Sequence, residues 1–229
     1  LRKLGVQELD IIELVKPITK YAVMLEKAED IAYELDKCIG IALEPKMGPC
    51  WIDIPTNLQT VDIKEDDLFY CIKFKNFTSL NDKNILRKKL DSLKKDLQEY
   101  KRPAILAGAG IRSSKNQTQF RKFVEKYNVP FVTTYFGVDL IEYDHNLNIG
   151  VGGIKGNRAG NFCLSNTDFV LCLGTCLNVP ITGYNYQYFA PEAKIVIVDI
   201  DEDEHKKSTV RIDEFIKCDL TDFFSYLNL

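Results

Sequence analysis

Two stretches without polar alternation constrain this chain most. Residues 169–173 read Phe-Val-Leu-Cys-Leu, and residues 195–200 read Ile-Val-Ile-Val-Asp-Ile. A strand with one wet face alternates apolar and polar residues; a strand covered on both faces does not. These runs therefore predict parallel strands inside a layered α/β domain. The first ends in Gly174-Thr175 and the second in Asp199. Ligands of open parallel sheets bind beyond the carboxyl ends of the strands, so this punctuation falls where a cofactor would be held.

The surrounding sequence repeats the pattern. Residues 103–107 form a strand that ends in Gly108-Ala109-Gly110. Phe120, Phe123, Val124 and Tyr127 mark a helix face, and residues 130–133 a second strand. Residues 150–160 read as a glycine-rich turn leading into a short helix. Residues 168–173, 194–200 and 214–217 give three more strands, and Asp219 can cap a last helix. Alternating strands and helices predict a doubly wound, Rossmann-like parallel sheet of five or six strands. A helix precedes it, with Leu86, Leu90, Leu93 and Leu97 on one face, Asn81 or Asp82 as cap, and Pro103 beyond its end.

The first 60 residues read as a small βαβ remnant of another α/β domain. Residues 18–25 make a strand. Ile31, Leu35, Cys38, Ile39 and Ala42 make one helical face, stopped by Pro45 and Gly48-Pro49. Residues 50–55 make a second strand, with Trp51 expected in the unit's core. Two strands and one helix bury too little area alone, so the unit is expected to pack against something upstream. Residues 61–80 have mixed polarity and no period, which predicts a linker before a domain over 81–229. The chain has no initiator Met, and a fragment is expected.

A formal net charge of −3 argues against a nucleic-acid surface, which needs excess basic charge. No apolar run reaches the ~20 residues of a membrane span, and no signal peptide is visible. The seven cysteines form no Cys-x-x-Cys and no zinc spacing. They are expected as free buried thiols in a reducing cytoplasm. His145 and His205 accompany no nucleophile motif and are expected as loop histidines. No metal site is expected in this chain.

Several positions allow two readings. Gly108-Ala109-Gly110 matches the first two glycines of a dinucleotide fingerprint, with Ser113 where the third belongs. It equally suits a tight strand-to-helix turn without a ligand. Asp199 ends a strand where a ribose-binding carboxylate sits in nucleotide folds. It can equally cap the next turn, which Asp201, Glu202, Asp203 and Glu204 make acidic.

The residues also carry a family resemblance. Gly48-Pro-Cys-Trp-Ile-Asp-Ile-Pro55 followed by Gln59 resembles the Gly-Pro-Val-x-x-Asp-Ile-Pro…Gln signature of thiamine-diphosphate-dependent enzymes. Val15-Lys-Pro-Ile-Thr-Lys20 resembles the Arg-Pro-Ile-Thr-Lys stretch of acetolactate synthase large subunits, and Gly5-Val-Gln7-Glu8 their Phe-Gln-Glu. Residues 103–111 resemble their Pro-x-x-x-x-Gly-x-Gly-Ile. Residues 189–194 and 198–201 resemble their Phe-Ala-Pro-x-Ala and Ile-Asp-Ile-Asp. The matches run in order over nearly the whole chain.

The resemblance implies three α/β domains: one for the pyrimidine of thiamine diphosphate, a central one, and one for its diphosphate and Mg²⁺. Residues 1–60 would be the end of the first and 81–229 the central one. The enzyme would be a transferase or lyase that decarboxylates a 2-keto acid and ligates the product. It would be cytoplasmic and homo-oligomeric. The chain alone would be inactive, because the activating glutamate and the Mg²⁺ motif fall outside it. Gln7 matches a position near the reacting centre. In acetolactate synthases the central domain holds FAD. The positions matching those contacts are Gly108, Ala109, Gly110, Thr134, Tyr135, Gly153, Ile154, Lys155, Gly156, Gly174, Thr175, Asp199 and Asp219. The family's Gly-Ala-Arg-Phe-Asp-Asp-Arg-Val-Thr-Gly appears here as Gly174-Thr-Cys-Leu-Asn-Val-Pro-Ile-Thr-Gly183. Two arginines become Cys176 and Pro180, and two acids become Asn178 and Val179. Losing both guanidinium forks removes charge-assisted bonds of roughly 1.5–3 kcal/mol each, which counts against tight FAD binding. Lys155 and Arg158 are the candidate replacements. A module binding FAD or another nucleotide without catalysis is the alternative reading.

Overall fold

The computed structural model describes residues 5, 9–71 and 83–227. The chain divides into two compact units, residues 1–78 and 79–229. The expected caps Asn81 and Asp82, like Gln7, lie outside the described residues.

The first unit contains helix α1 (Ile11–Val15), strand β1 (Tyr21–Met24), helix α2 (Ile31–Leu43) and strand β2 (Cys50–Asp53). β1 and β2 pair in parallel, Tyr21 opposite Cys50 and Met24 opposite Asp53, so the expected βαβ unit is present. Tyr21 shows which face of the ladder meets α2. Its hydroxyl donates to Glu34 (2.9 Å) and accepts from Lys37 (2.6 Å), both on α2. Side chains alternate along a strand, so Trp51 and Met24 point to the opposite face. Trp51 is therefore 41% exposed and Met24 50% exposed, and the expectation that Trp51 lies in the core is corrected. The helix face also differs from the expected one. Cys38 is buried, whereas Leu35, Ile39 and Leu43 are exposed. The apolar arc of α2 is wider than two short strands can cover.

The second unit begins with helix α3 (Lys83–Glu99), strand β3 (Pro103–Ala107), helices α4 (Gly110–Ser113) and α5 (Gln117–Tyr127), and strands β4 (Phe131–Thr133) and β5 (Asn148–Val151). Helix α6 (Arg158–Asn166), strand β6 (Phe169–Leu173), helix α7 (Val179–Thr182) and strand β7 (Lys194–Asp199) follow. Helix α8 (Glu202–His205), strand β8 (Glu214–Lys217) and helix α9 (Leu220–Tyr226) close it. All six strands are parallel, in the order β5-β4-β3-β6-β7-β8. The chain winds outward from β3 to β5, then crosses back to β6 and winds the other way. That is the doubly wound order of dinucleotide-binding folds.

Both faces of the sheet are buried, which is why its central strands lack polar alternation. Ile105, Phe169, Leu171, Leu173, Val196 and Val198 pack with the leucines of α3 and the phenylalanines of α5 and α9. Leu106, Val170, Cys172, Ile195 and Ile197 pack on the other face with Leu164 of α6, Ile181 of α7 and Phe189. Phe123 meets Phe223 and Phe224 edge-on at 5.7 and 6.0 Å, joining α5 to α9. Asp168 fastens the amino ends of β3 and β6, accepting the N–H groups of Lys101 (3.0 Å) and Arg102 (2.9 Å).

One strand was not legible in the sequence. β5 falls at the start of the expected glycine-rich turn, at the sheet edge. Its Gly150 has φ +117°, and the register with β4 shifts between Phe131 and Val132. A four-residue edge strand with glycine at an irregular pairing offers no apolar run.

The core assignment predicts unequal responses on one helix. Leu90→Ala, at a fully buried position, should destabilise the second unit by about 2–5 kcal/mol. Ile85→Ala, at an exposed one, should change it by no more than about 0.5 kcal/mol. Urea unfolding followed by circular dichroism measures both.

Candidate functional site

Because every strand runs the same way, all six carboxyl ends line one edge. The switch point lies between β3 and β6, where the chain departs in opposite directions. Gly108–Gly110 leaves β3 there and Gly174-Thr175 leaves β6. The two loops touch. A Cβ added at Gly108 would lie 2.2 Å from the Gly174 carbonyl oxygen, and one at Gly110 would lie 2.7 Å from Gly174 Cα. The Gly108 N–H donates to Leu173 O (2.9 Å) and the Gly110 N–H to Gly174 O (2.9 Å). Gly174 itself has φ +54° and donates to Val198 O at 3.1 Å. The glycines are thus required by the approach of one backbone to the other. Two N–H groups that could face a phosphate are engaged inside the protein. Thr175 is buried beside Gly108.

The loops after β4 and β5 form the flank of this edge. Thr134 is buried and donates its N–H to Ala107 O at 2.9 Å. Tyr135 is exposed, with the Lys155 ammonium 5.5 Å from its ring centre. Gly153 sits at φ +97°, where an added Cβ would fall 2.2 Å from Pro180 O. The Asn161 side chain clasps Gly153 from both sides, accepting from its N–H (2.8 Å) and donating to its carbonyl (3.0 Å). Ile154 N–H donates to Pro180 O at 2.8 Å, and Gly156 N–H to Gly153 O at 2.9 Å. Residues 153–156 are therefore joined to the loop after β6 through Pro180, one of the positions where the family has arginine. Asn161 and the Pro180 carbonyl were not singled out in the sequence. An amide seated one helical turn after a glycine loop is the signal that could have found the first.

Asp199 and Asp219 sit further along the same edge. The Asp199 carboxylate accepts the Asp201 N–H at 3.0 Å. Burial pushes its pKa up from the ordinary 3.8, and Glu204 and Asp201 push the same way against backbone hydrogen bonds. Asp219 caps α9, accepting the Thr221 N–H at 2.7 Å. The acidic turn is a capped, ion-paired helix start. Asp201 accepts from Asp203 N–H (3.0 Å), Lys206 pairs with Asp203 (3.0 Å), Lys207 with Glu204, and Lys217 with Glu202 (2.7 Å). Among the described residues no group of three His, Cys, Asp or Glu side chains could hold a metal. The Cys176 thiol is pushed up to about 11 by burial of its sulfur and by Glu204, although the residue as a whole is exposed.

The charges on this edge divide in two. Arg112 pairs with Asp139 and donates to Phe136 O at 3.2 Å. The carboxylates Asp199 and Glu204 dominate the β7 side. Lys155 and Arg158 contact aromatic rings, Arg158 lying 5.3 Å from the Phe162 ring centre. His145 is a loop histidine. Its Nδ1 accepts the Leu147 N–H (3.2 Å), which leaves Nε2 to donate to Glu125 (3.3 Å).

A six-stranded parallel sheet in doubly wound order, with glycine loops meeting at its switch point, defines a Rossmann-like central domain. The sequence profile described as "Thiamine pyrophosphate enzyme, central domain" matches residues 90–227, and the chain belongs to that family. It is 32% identical over 209 residues to a probable acetolactate synthase large subunit of Methanocaldococcus jannaschii, covering 90% of this chain and 35% of that protein. It is 31% identical over 204 residues to the acetolactate synthase large subunit of Lactococcus lactis, covering 86% and 34%. A probable acetolactate synthase large subunit of Methanococcus aeolicus is 32% identical over 206 residues, covering 88% and 34%. The chain thus spans about a third of the length of these relatives. Among the described residues no helix is long and apolar enough to cross a membrane.

Two outcomes follow for this edge. Gly108→Ala should lower the melting temperature without any ligand, because the new methyl meets backbone that cannot yield; overpacking of this kind costs about 1–3 kcal/mol. Asp199→Asn should stabilise the protein at pH 7. A carboxylate whose folded pKa is raised destabilises the fold as pH rises from its unfolded value of 3.8 through the folded one. The gain should therefore vanish below about pH 3.8, as read from urea midpoints across pH.

Proposed function

We propose that this chain is the central domain, with the adjoining end of a pyrimidine-binding domain, of an acetolactate-synthase-like enzyme. Residues 1–60 belong to the earlier domain, 61–80 link the two, and 81–229 form the central one. The enzyme decarboxylates a 2-keto acid such as pyruvate and ligates the product to an acceptor. It works in the cytoplasm as a homo-oligomer. The observation that carries this reading is the family match over residues 90–227, which runs from the middle of α3 to the end of α9 and includes the whole six-stranded sheet. Thiamine diphosphate, with Mg²⁺, would supply the electron sink that such a decarboxylation needs. The described residues of this chain do not fit as its site, since they offer no cluster of acidic ligands for the metal. Their role is architectural, and the rigidity of a sheet buried on both faces suits it. Gln7 is the residue proposed to lie near the reacting centre.

The crevice fits FAD poorly, and three observations support a flavin-free reading. The Gly108 and Gly110 N–H groups are bonded within the protein. Asp199 already carries a neighbouring acid, Glu204, that raises its pKa, so a diphosphate there would meet like charge. The loop over residues 174–183 presents Cys176 and Pro180 in place of two arginines. A nucleotide-binding module remains the second reading because Lys155 and Arg158 contact aromatic rings at an edge that also exposes Tyr135 and Ile154.

An FAD titration followed by thermal melting tests the flavin-free reading. Binding at 100-fold over the dissociation constant stabilises by about 2.7 kcal/mol. No shift and a colourless protein are expected; flavin bands in the purified protein would overturn the flavin-free reading and strengthen the likeness to acetolactate synthases. The polypeptide containing this chain should release CO₂ from pyruvate only with thiamine diphosphate and Mg²⁺. Silence across a panel of 2-keto acids would sink the enzymatic reading.

A further inference from the structure

Cys38 and Cys50 lie in the first unit, outside the crevice. Cys38 is in the middle of α2 and 6% exposed; Cys50 opens β2 and is partly exposed. Both are free thiols, and Cys38 lies beside Lys37 and one turn after Glu34, the two α2 residues that bind Tyr21. The ladder places the two on one interface. Cys50 is the register partner of Tyr21, whose hydroxyl is bound by Glu34 and Lys37 of α2, so the Cys50 side chain shares the face that α2 covers. The backbone between the two cysteines is restrained. Lys20 N–H donates to Pro49 O at 2.8 Å, while the Lys20 ammonium binds the Ile41 carbonyl at the end of α2. Pro45 and Pro49 stiffen the turn, which Lys46 enters at φ +59°. Helix and strand thus each bring one cysteine to the interface between them, across a short connection. Cys50 also stands where the resembled signature has valine, which has no redox chemistry.

We propose that Cys38 and Cys50 form a reversible thiol–disulfide switch that staples α2 to β2, oxidised by a low-molecular-weight disulfide. Cys50, the more accessible, attacks as thiolate. Its sulfur bonds to one sulfur of the disulfide, the disulfide bond breaks, and the first thiolate leaves and takes up a proton. The Cys38 thiol then loses its proton to solvent and attacks the Cys50 sulfur, expelling the second thiolate. Two protein thiols are oxidised by two electrons, and one disulfide is reduced to two thiols. Burial, with Cys50 and Glu34 adding, holds the Cys38 thiol up at about 11, so it is the slower, resolving partner. The switch does not depend on the activity proposed above.

The test uses the unsubstituted chain. The reduced protein is incubated with excess glutathione disulfide, quenched with N-ethylmaleimide and digested with trypsin. Cleavage at Lys37, Lys46 and Lys64 places the two cysteines on separate peptides. The expected result is a joined pair, Cys38 peptide to Cys50 peptide, two hydrogens lighter than the reduced pair and released by dithiothreitol. The oxidised chain should also unfold at a higher urea concentration. In Cys38→Ser the glutathione adduct on Cys50 should persist instead of resolving. A lasting glutathione adduct on Cys50 of the unsubstituted chain without the joined pair would overturn the proposal. So would modification elsewhere with both thiols untouched.

Discussion

The second unit depends on one constraint: its parallel sheet must be covered on both faces. β6 shows it residue by residue. Phe169, Leu171 and Leu173 enter one core, Val170 and Cys172 the other, and all five are completely buried. A parallel sheet cannot leave a face to water, because its crossover connections carry helices over it. Here α3, α5 and α9 close one side, and α6, α7 and the chain around Phe189 close the other. Because all strands run the same way, the same requirement gathers every carboxyl-end loop at one edge. The placement of the candidate residues is a consequence of the sheet and does not by itself bring a ligand.

Glycine at this edge serves two different needs. At Gly108 and Gly110 it permits the backbone of one loop to approach another, and the Gly174 carbonyl fills the space a side chain would take. At Gly153 it permits a positive φ and a close approach to Pro180 together. Both needs exist in the protein without a nucleotide. The charge distribution points the same way. The edge carries Asp199 with Glu204 on one side, and its remaining carboxylates are largely engaged in caps and ion pairs. With Arg112 held by Asp139, little positive charge is presented to an anion at the switch point.

Most of this fold was legible because burial writes itself into sequence where elements are long or covered on both sides. The four leucines of α3 are buried as their spacing predicts, and β8 occupies the four residues expected. Asp219 caps α9 as an aspartate before an apolar helix should. The failures are equally physical. β5 is short, lies at an edge and contains a bulge, so it carries no periodic signal. Trp51 looked like a core residue because aromatic residues in strands usually are. Its exposure follows from its place on the ladder face opposite α2. The candidate site was legible only as positions. That Gly108, Gly110 and Gly174 meet one another, and that Pro180 closes over Gly153, depend on loop geometry that no spacing in the sequence encodes.

The first unit obeys the opposite constraint. Two four-residue strands and one long helix bury few side chains, and Leu35, Ile39, Leu43 and Trp51 remain exposed. Within this unit α2 is joined to the ladder by specific polar links. Two are present: the Tyr21 hydroxyl between Glu34 and Lys37, and the Lys20 ammonium on the carbonyls of Ile41 and Glu44 at the end of α2. Each joins α2 to the ladder or its turn. The two cysteines belong to the same interface, one on α2 and one on β2, where a disulfide would fix helix to strand.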